Sequence, residues 1–259
     1  MVETLQRVSA KVRGALRPVA RHHVGTAQVL CSLRAQSGDQ PLVGGTLRIL
    51  NVGAGSNCWL EDELRQSPGR FQVDRTDVLD PTVQSTVTGN CWRVPVEAMR
   101  CVPSCEYDAV VMNYVLEHVR SPRAAASELW RVLKPGGHLY ATIPNPLAPE
   151  FLIARATPHS LHRVFQPNAS PTHYAFSSVG ALVRLFEAAG FKLEAEHRAP
   201  HVGVYLARVG PVLAPMGNCY DAAVTALGIS FVMGDVFLAL RKGPIPGRRT
   251  AASNPVSQC

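Results

Sequence analysis

Residues 47–57 of this chain read LRILNVGAGSN, from Leu47 to Asn57, and the expected architecture follows from them. The first six residues predict a short buried strand, and the next three form a glycine turn where a helix should begin. Gly53 and Gly55 permit positive φ angles and let a ligand approach the main chain without meeting a Cβ atom. The stretch therefore predicts a cofactor-binding turn at the end of a strand.

Two phosphate-binding motifs are excluded by the residues of this turn. A dinucleotide-binding fingerprint counted from Gly53 requires a third glycine at the position of Cys58. A P-loop requires a Gly-Lys-Ser/Thr sequence, which is absent here. Neither kind of phosphate site is expected at this turn.

The turn resembles the first motif of the class I S-adenosylmethionine-dependent methyltransferases, in which an acid precedes Gly-x-Gly-x-Gly. Asn51 stands at the acidic position and Asn57 at the third glycine, a variant similar to that of the type 11 branch. The resemblance implies a Rossmann-like, doubly wound α/β fold with a mostly parallel seven-stranded sheet and helices on both faces. It also implies S-adenosylmethionine as cofactor, bound in part by Asn51, Gly53, Ala54 and Gly55.

A second block, from Glu106 to Pro144, resembles the same branch. It comprises a buried strand over Tyr107–Met112, the sequence Leu-Glu-His-Val, a helix over Ser121–Leu133, the sequence Lys-Pro-Gly-Gly and a strand over His138–Pro144. Pro-Gly-Gly ends a helix and turns tightly into a strand for steric reasons, so its expected function is architectural. The joint occurrence of the two blocks supports the assignment more than either block does.

The resemblance assigns three further side chains to the cofactor. An acid at the end of the second strand, expected over Phe71–Val78, should receive both ribose hydroxyls, since a carboxylate presents two acceptor oxygens. Asp77 has this position, and Asp74 is the alternative if the strand is shorter. Asn90 stands where the family often has an acid beside the adenine, although a surface turn explains it almost as well. Asn113, which follows the strand of the second block, completes the predicted set.

Two histidines are candidate catalytic residues, because an imidazole that titrates near neutral pH can take a proton from a hydroxyl or an amine. His118 lies just beyond the C-terminal end of a strand, where ligands bind in open α/β sheets. His173 precedes the next predicted helix; a capping or packing role is the alternative for both. No metal site is expected, because Tyr114 replaces an acid that some quinone-pathway relatives carry near the Glu-His pair.

The motifs divide the chain into three expected parts. Residues 1–45 form a basic N-terminal helical segment, residues 46–242 the methyltransferase domain, and residues 243–259 a disordered tail. An irregular cover loop is expected over residues 149–172, and an apolar insertion over residues 203–230. The insertion is either a helix pair that packs on the domain or a lid over a hydrophobic, lipid-like acceptor.

The net charge of +7 arises at the two ends of the chain. Six basic residues and no acid lie between residues 4 and 38, and four basic residues and no acid follow Asp235. Without these and Glu3, 16 basic and 18 acidic residues remain, so an electrostatic groove for nucleic acid is not expected.

The composition favours a cytoplasmic protein. The N-terminus lacks the continuous apolar core of a secretory signal, and the longest hydrophobic stretch, Ala222–Gly234, falls short of the roughly 20 residues of a membrane span. Peripheral membrane contact stays open. Seven scattered cysteines fit free thiols in a reducing compartment. Mitochondrial or plastid targeting by the Arg-rich N-terminal segment is the alternative, and the oligomeric state is open.

These observations predict a methyltransferase that acts on an O, N or C atom of a small-molecule acceptor, which can be hydrophobic. The alternative is a non-catalytic cofactor-binding or scaffold protein of the same fold, which the asparagines Asn51, Asn57 and Asn90 suggest. An NAD-dependent oxidoreductase is disfavoured by Cys58 and by the Leu-Glu-His-Val block.

Overall fold

The computed structural model describes residues 24–37, 46–66, 71–83, 85–156 and 172–243. The first 23 residues of the predicted N-terminal segment lie outside these ranges. So do residues 157–171 of the predicted cover loop and the predicted tail from residue 244 onward.

Seven strands form one sheet in the order β3-β2-β1-β4-β5-β7-β6. Strands β1 to β5 pair in parallel, while β7 runs antiparallel between β5 and β6. The predicted Rossmann-like, mostly parallel seven-stranded sheet is therefore confirmed. The strands are β1 (Leu47–Val52), β2 (Phe71–Asp77), β3 (Thr88–Arg93), β4 (Tyr107–Asn113), β5 (Leu133–Pro144), β6 (Phe191–Ala199) and β7 (Asp235–Lys242).

Helices cover both faces of this sheet. Ile49 of β1 belongs to a core with α1 and α2, whereas its neighbour Leu50 belongs to a second core with α3 and α5. Consecutive residues of β1 are buried because both faces are covered, so the strand reads as a nearly continuous apolar run. The helices are α1 (Val24–Ser37), α2 (Trp59–Gln66), α3 (Pro122–Val132), α4 (Pro149–Ala156), α5 (Val179–Ala188), α6 (Val202–Val209) and α7 (Ala214–Ala226).

The Lys-Pro-Gly-Gly segment differs from its prediction as a turn that precedes a strand. Helix α3 ends at Val132, and β5 begins at once with Leu133. The register with β4 shifts within this segment, so the four residues form an irregular first part of β5. A Cβ atom at Gly137 would lie 3.0 Å from the carbonyl oxygen of Lys134, which explains why glycine fits there.

The cover loop predicted over residues 149–172 was wrong in its first part, because residues 149–156 form helix α4. Proline suits the first helical position, where an N–H would have no partner within the helix, and Pro149 occupies it. The Pro-rich composition that indicated a loop therefore marks the start of a helix.

The predicted apolar insertion contains α6 and α7, which pack closely against each other. A Cβ atom at Gly217 would lie 2.6 Å from the Cα atom of Gly203, so the two helices touch through their main chains. The Asp221 carboxylate on α7 accepts hydrogen bonds from the N–H groups of Val202 and Gly203 at 3.2 and 2.8 Å. It caps the first turn of α6.

Many apolar side chains on and around helices α4, α6 and α7 face outward. Nine of the eleven exposed large hydrophobic residues in the described ranges lie between residues 147 and 231. Val212, Met216 and Leu227 are 85%, 68% and 73% exposed. Across the described ranges, no helix combines the length and the apolar character that crossing a membrane requires.

Candidate functional site

The turn after β1 has the conformation that its glycines allow. Gly53 and Gly55 have φ angles of 70° and 52°, as the sequence predicted. The N–H groups of Gly53 and Ala54 both donate to the carbonyl oxygen of Thr76, at 2.8 and 3.2 Å. A Cβ atom at Gly53 would lie 2.2 Å from a methyl carbon of Val115, so the glycine loop (residues 53–57) touches the segment after β4.

A buried arginine lies beneath the glycine loop. Arg75 is fully buried in β2, and its Nη2 donates to the carbonyl oxygens of Gly55 and Asn57, each at 2.9 Å. A longer bond of 3.4 Å reaches the carbonyl oxygen of Ala54, and Nε donates to Pro81 at 2.8 Å. One side chain therefore binds three carbonyl groups of the loop and fixes its shape.

The charge of Arg75 is balanced by a second buried residue. Glu61 of α2 is fully buried and forms an ion pair with Arg75. Asn51 is 4% exposed, and its Nδ2 donates to Oε1 of Glu61 at 3.3 Å. The structure thus places the Asn51 side chain under the glycine loop, within a cluster that supports it.

Sequence reasoning did not identify Arg75 and Glu61 as parts of the site. The available signal was an arginine at the centre of a strand that must be buried on both faces. A buried charge requires a partner of opposite charge. The partner could not be found from spacing alone, because Glu61 lies on a helix whose orientation is set by tertiary packing.

Asp77 is the last residue of β2, and its carboxylate lies beside the glycine loop. Oδ2 accepts a hydrogen bond from the N–H of Gly55 at 2.8 Å, and Oδ1 accepts one from the N–H of Leu79 at 2.8 Å. Both oxygens are therefore held in fixed directions, and each retains a lone pair for another donor.

The alternative acid, Asp74, is part of the core. Its side chain is 1% exposed and accepts hydrogen bonds from Tyr107 at 2.8 Å and from Arg48 at 3.0 Å. The N–H of Asn90 donates to its Oδ1 at 2.8 Å. These contacts leave Asp77 as the acid that the structure brings to the loop.

Asn90 does not lie beside the loop. Strand β3 pairs with β2 so that Asp77 is opposite Arg93, which places Asn90 three residues before the end of β3. Its side chain is exposed on the edge strand. The position expected to contact adenine is therefore set back from the C-terminal edge of the sheet.

Asn113 ends β4 next to the glycine loop, and Tyr114 follows it directly. Because Val52 pairs with Met112, Asn113 lies level with Gly53. Tyr114 has a φ angle of 55°, which a residue with a side chain seldom adopts. The Tyr114 hydroxyl donates a hydrogen bond to Asp235 at the start of β7. Tyr114 therefore links the segment after β4 to a strand that lies two positions away in the sheet.

Both candidate histidines contact Glu117, His118 through its side chain and His173 through its backbone. His118 follows Glu117 in a 3₁₀ turn over Leu116–His118, and its Nε2 lies 3.9 Å from Oε1 of Glu117. The N–H groups of His173 and Tyr174 both donate to the carbonyl oxygen of Glu117, at 2.8 and 3.0 Å. The fold thus brings together two residues that are 55 positions apart in the sequence.

His173 is fixed through its side chain as well. The Nε of Arg120 donates to Nε2 of His173 at 3.4 Å, and the histidine is exposed. The His118 side chain is 33% exposed. Both imidazoles therefore have access to solvent.

Two buried glutamates lie on the β4–β5–β7 side of the site. Burial, with a contribution from the Asp235 carboxylate, raises the pKa of Glu117 to about 8. Glu150 of α4 is 1% exposed, and burial raises its pKa to about 7, with further contributions from Asp221 and Asp235. Neither was selected from the sequence, because nothing in the local pattern shows that these glutamates are buried.

Glu150 packs against the chain just before β7. A Cβ atom at Gly234 would lie 1.8 Å from Oε1 of Glu150 and 2.9 Å from Cβ of His201, so a side chain there would displace both residues. Within the described ranges, neither carboxyl oxygen of Glu150 has a hydrogen-bond partner. In the same ranges, no group of three or more His, Cys, Asp or Glu residues is placed to hold a metal ion.

Comparisons with known proteins identify the family of this chain. A family model described as a methyltransferase domain matches residues 15–196. A demethylmenaquinone methyltransferase of Clavibacter sepedonicus is 36% identical over 110 residues, which are 38% of this chain and 44% of that protein. A ubiquinone biosynthesis O-methyltransferase of Alkalilimnicola ehrlichii is 29% identical over 116 residues, which are 41% of this chain and 45% of that protein. The chain thus spans less than half the length of these curated relatives.

A solved structure has the same architecture over most of its length. An S-adenosylmethionine-dependent methyltransferase from Mesorhizobium loti superposes with a TM-score of 0.53 at 17% identity. The superposition covers 82% of this chain and 96% of that one. At this identity the likeness shows the shared fold alone.

Proposed function

The chain belongs to the methyltransferase domain family of S-adenosylmethionine-dependent enzymes, and from that membership we propose that it transfers the methyl group of this cofactor to a small-molecule acceptor. One observation carries the proposal: the Gly55 N–H donates to Asp77 and joins the glycine loop to the acid at the end of β2. The family resemblance assigns these two elements to the cofactor.

The proposed cofactor site comprises the glycine loop, Asp77 and Asn113. The loop offers an approach to the main chain at Gly53 and Gly55, where a Cβ atom is absent. Asp77 would accept the two ribose hydroxyls through the lone pairs that Gly55 and Leu79 leave open. Asn51 would act indirectly, through Glu61 and the loop.

The proposed acceptor side lies beyond β4, around Glu117. His118 lies there through its side chain and His173 through its backbone, and either imidazole can take a proton from a hydroxyl or an amine. Much of the rate acceleration would come from holding the acceptor atom in line with the methyl group. The names of the two curated relatives favour quinone-type acceptors, and the exposed apolar surface on α4, α6 and α7 supports a hydrophobic one.

Calorimetry tests the cofactor half of this proposal. S-adenosylmethionine and S-adenosylhomocysteine should bind the full chain, whereas NAD should not. Binding of NAD alone would contradict the proposal and favour an oxidoreductase.

Turnover with methyl-labelled cofactor tests the other half. A panel of a reduced 1,4-naphthoquinone, a catechol and a primary amine covers carbon, oxygen and nitrogen as methyl acceptors. Label should appear in at least one product. Cofactor binding without any methylated product would favour the scaffold alternative.

A further inference from the structure

The carboxyl group of Glu150 lies where three elements meet. Glu150 belongs to the first turn of α4, and α4 packs against α6. A Cβ atom on Gly234, the residue before β7, would lie 1.8 Å from Oε1 of Glu150, so the carboxyl group rests on the main chain there. The next residue, Phe151, stacks on the ring of His201 just before α6, with the ring centres 6.1 Å apart. Glu150 thus joins α4, α6 and the start of β7 into one junction.

Two carboxylates face the Glu150 carboxyl group, one from α7 and one from β7. Burial raises the pKa of Glu150 to about 7, and the charges of Asp221 and Asp235 add to this shift, while the N–H of Glu150 itself offsets part of it. Glu150 is 1% exposed, and neither carboxyl oxygen has a hydrogen-bond partner among the described residues. A carboxylate here would lose its hydration and be repelled by both aspartates, whereas a protonated carboxyl group avoids both costs.

Two tyrosines and a histidine complete the titratable surroundings of Glu150. Burial, followed by the charge of Glu150, raises the pKa of Tyr205 on α6 and of Tyr220 on α7 above the ordinary value. Both hydroxyls therefore stay neutral at pH 8 and below. Neither His201 nor any other cation among the described residues lowers the pKa of Glu150. Ionisation of Glu150 would thus add a third negative charge to the junction.

Helices α6 and α7 add little to the core of the domain. Of the 13 residues of α7, Gly217 and Val224 are buried. Val204 of α6 and Met216 of α7 are 47% and 68% exposed. Elements with few buried apolar contacts open locally at a lower free energy than core strands do. A change at Glu150 can therefore open these helices while the central sheet stays folded.

We propose that Glu150 is a pH-sensitive switch of the insertion: its protonated carboxyl group keeps α6 and α7 closed on α4 and β7, and its ionisation favours their local opening. In the closed junction the carboxyl group is shielded from water. After opening, it is hydrated and no longer held beside the two aspartates. The switch acts through the fold alone, so it does not depend on the identity of the methyl acceptor.

The direction of the pH effect follows from the pKa of Glu150 in the two states. This pKa is about 7 in the closed junction and has the ordinary value of about 4.3 once the junction opens. The closed state therefore binds the proton more tightly. Its stabilisation is complete below about pH 4.3, falls between about pH 4.3 and about pH 7, and changes no further above that range. The opened fraction should rise by up to about tenfold per pH unit in this window.

Hydrogen exchange of the full chain at pH 5, 6, 7 and 8, corrected for the intrinsic pH dependence of amide exchange, tests the proposal. In the wild type, the amides of α6 and α7 should lose at least about tenfold in protection between pH 5 and pH 8. In Glu150→Gln, whose side chain carries no charge at any of these pH values, their protection should stay nearly constant. Glu187→Gln is the matched control, because Glu187 is exposed on α5 and its loss should leave the wild-type pH dependence intact.

Three outcomes would overturn the proposal. Unchanged protection in the wild type would show that no switch operates. An equal loss of protection in the wild type and Glu150→Gln would assign the pH dependence to another group, such as His201. Exchange of the α6 and α7 amides only together with those of the central strands would mean that no separate opening exists. If Glu150→Gln fails to fold, the NMR signal of the wild-type Glu150 carboxyl carbon decides: a midpoint near pH 7 is expected, and one near pH 4.3 would refute the switch.

Discussion

The backbone N–H of Gly55 donates a hydrogen bond to Oδ2 of Asp77 across 2.8 Å. This bond joins the glycine loop after β1 to the end of β2, the two adjacent parallel strands at the centre of the candidate site. Because Leu79 holds the other carboxyl oxygen, the acid is oriented before any ligand arrives. A preoriented acceptor loses less entropy when it binds.

Asp77→Ala should weaken S-adenosylmethionine binding. Two hydrogen bonds to a charged acceptor are lost, each worth about 1.5–3 kcal/mol. Calorimetry on the full chain measures the change. Asp80→Ala is the control, because the Asp80 side chain accepts the N–H of Thr82 in the same connection. Equal cofactor affinity in the wild type and Asp77→Ala would exclude the assigned role.

Arg75→Met should destabilise the protein and weaken cofactor binding together. The substitution removes the bonds to three loop carbonyls and leaves Glu61 buried without its partner, and breaking a buried pair costs about 3–5 kcal/mol. Thermal denaturation and calorimetry measure the two effects. The double variant Arg75→Met/Glu61→Gln should recover part of the stability but not the affinity.

Arg65→Ala is the control for this pair of variants. Arg65 forms an ion pair with Asp62 on the same helix, but both side chains are more than half exposed, at 54% and 58%. Its loss should change stability by about 1 kcal/mol or less. A comparable loss of stability in Arg65→Ala and Arg75→Met would argue against a special role for Arg75.

The mostly parallel seven-stranded sheet could be predicted from the sequence, whereas the support of the glycine loop could not. Gly53, Gly55 and Asp77 stand at fixed offsets within local motifs, so a single stretch is sufficient to find each of them. Arg75 and Glu61 meet only because α2 packs on β2. Such pairs depend on tertiary contacts, which local patterns do not encode.

On the proposed acceptor side, too, the residues could be found from local patterns but their contacts could not. His118 was identified because it follows a strand, and His173 because it precedes a helix. The contact of His173 with Glu117 joins residues that are distant in the sequence, and local patterns do not encode such contacts. Asn90 lies three residues before the end of β3 because Asp77 pairs with Arg93, and no sequence pattern sets that register.

Glu150→Gln should reduce the loss of stability with rising pH. In the folded protein the pKa of Glu150 is raised to about 7, so the group keeps its proton where the unfolded chain has lost it. Stability therefore falls between the ordinary pKa of about 4.3 and about 7, by at most about 1.4 kcal/mol per pH unit. Denaturant titrations at pH 4.5, 6 and 8 measure the slope.

The slope should not vanish in Glu150→Gln, because Glu117 contributes in the same direction up to about pH 8. A variant with both glutamates replaced by glutamine should show the smallest slope. An unchanged slope in Glu150→Gln would mean that the Glu150 carboxyl is ionised in the folded protein at neutral pH.

Removal of residues 244–259 should leave the melting temperature unchanged, since every predicted motif precedes them. Lys242 must be kept. It is 3% exposed, its Nζ donates to the Leu133 carbonyl at 2.6 Å, and it lies 3.8 Å from the centre of the Trp130 ring. Lys242→Ala should lower the melting temperature by several degrees. A fall of that size after the truncation would show that the tail docks on the domain.

Replacing both Leu213 and Met216 by serine should change stability little, because these side chains are 38% and 68% exposed. If the insertion contacts a hydrophobic acceptor, the KM for a reduced 1,4-naphthoquinone should rise severalfold. Val224→Ser is the stability control, since Val224 is 5% exposed and its loss should lower the melting temperature. A large fall in melting temperature with unchanged KM in the double variant would identify the insertion as a core element.

The contact between Gly203 and Gly217 has a consequence for motion. Helices whose main chains touch, and of which one caps the other through Asp221, share their stabilising contacts and cannot separate one at a time. Amide protons of α6 and α7 should therefore exchange with deuterium as one cooperative unit, at a single opening free energy below that of the central strands. Asp221→Ala should divide that unit into two, so that the α6 amides exchange earlier than those of α7.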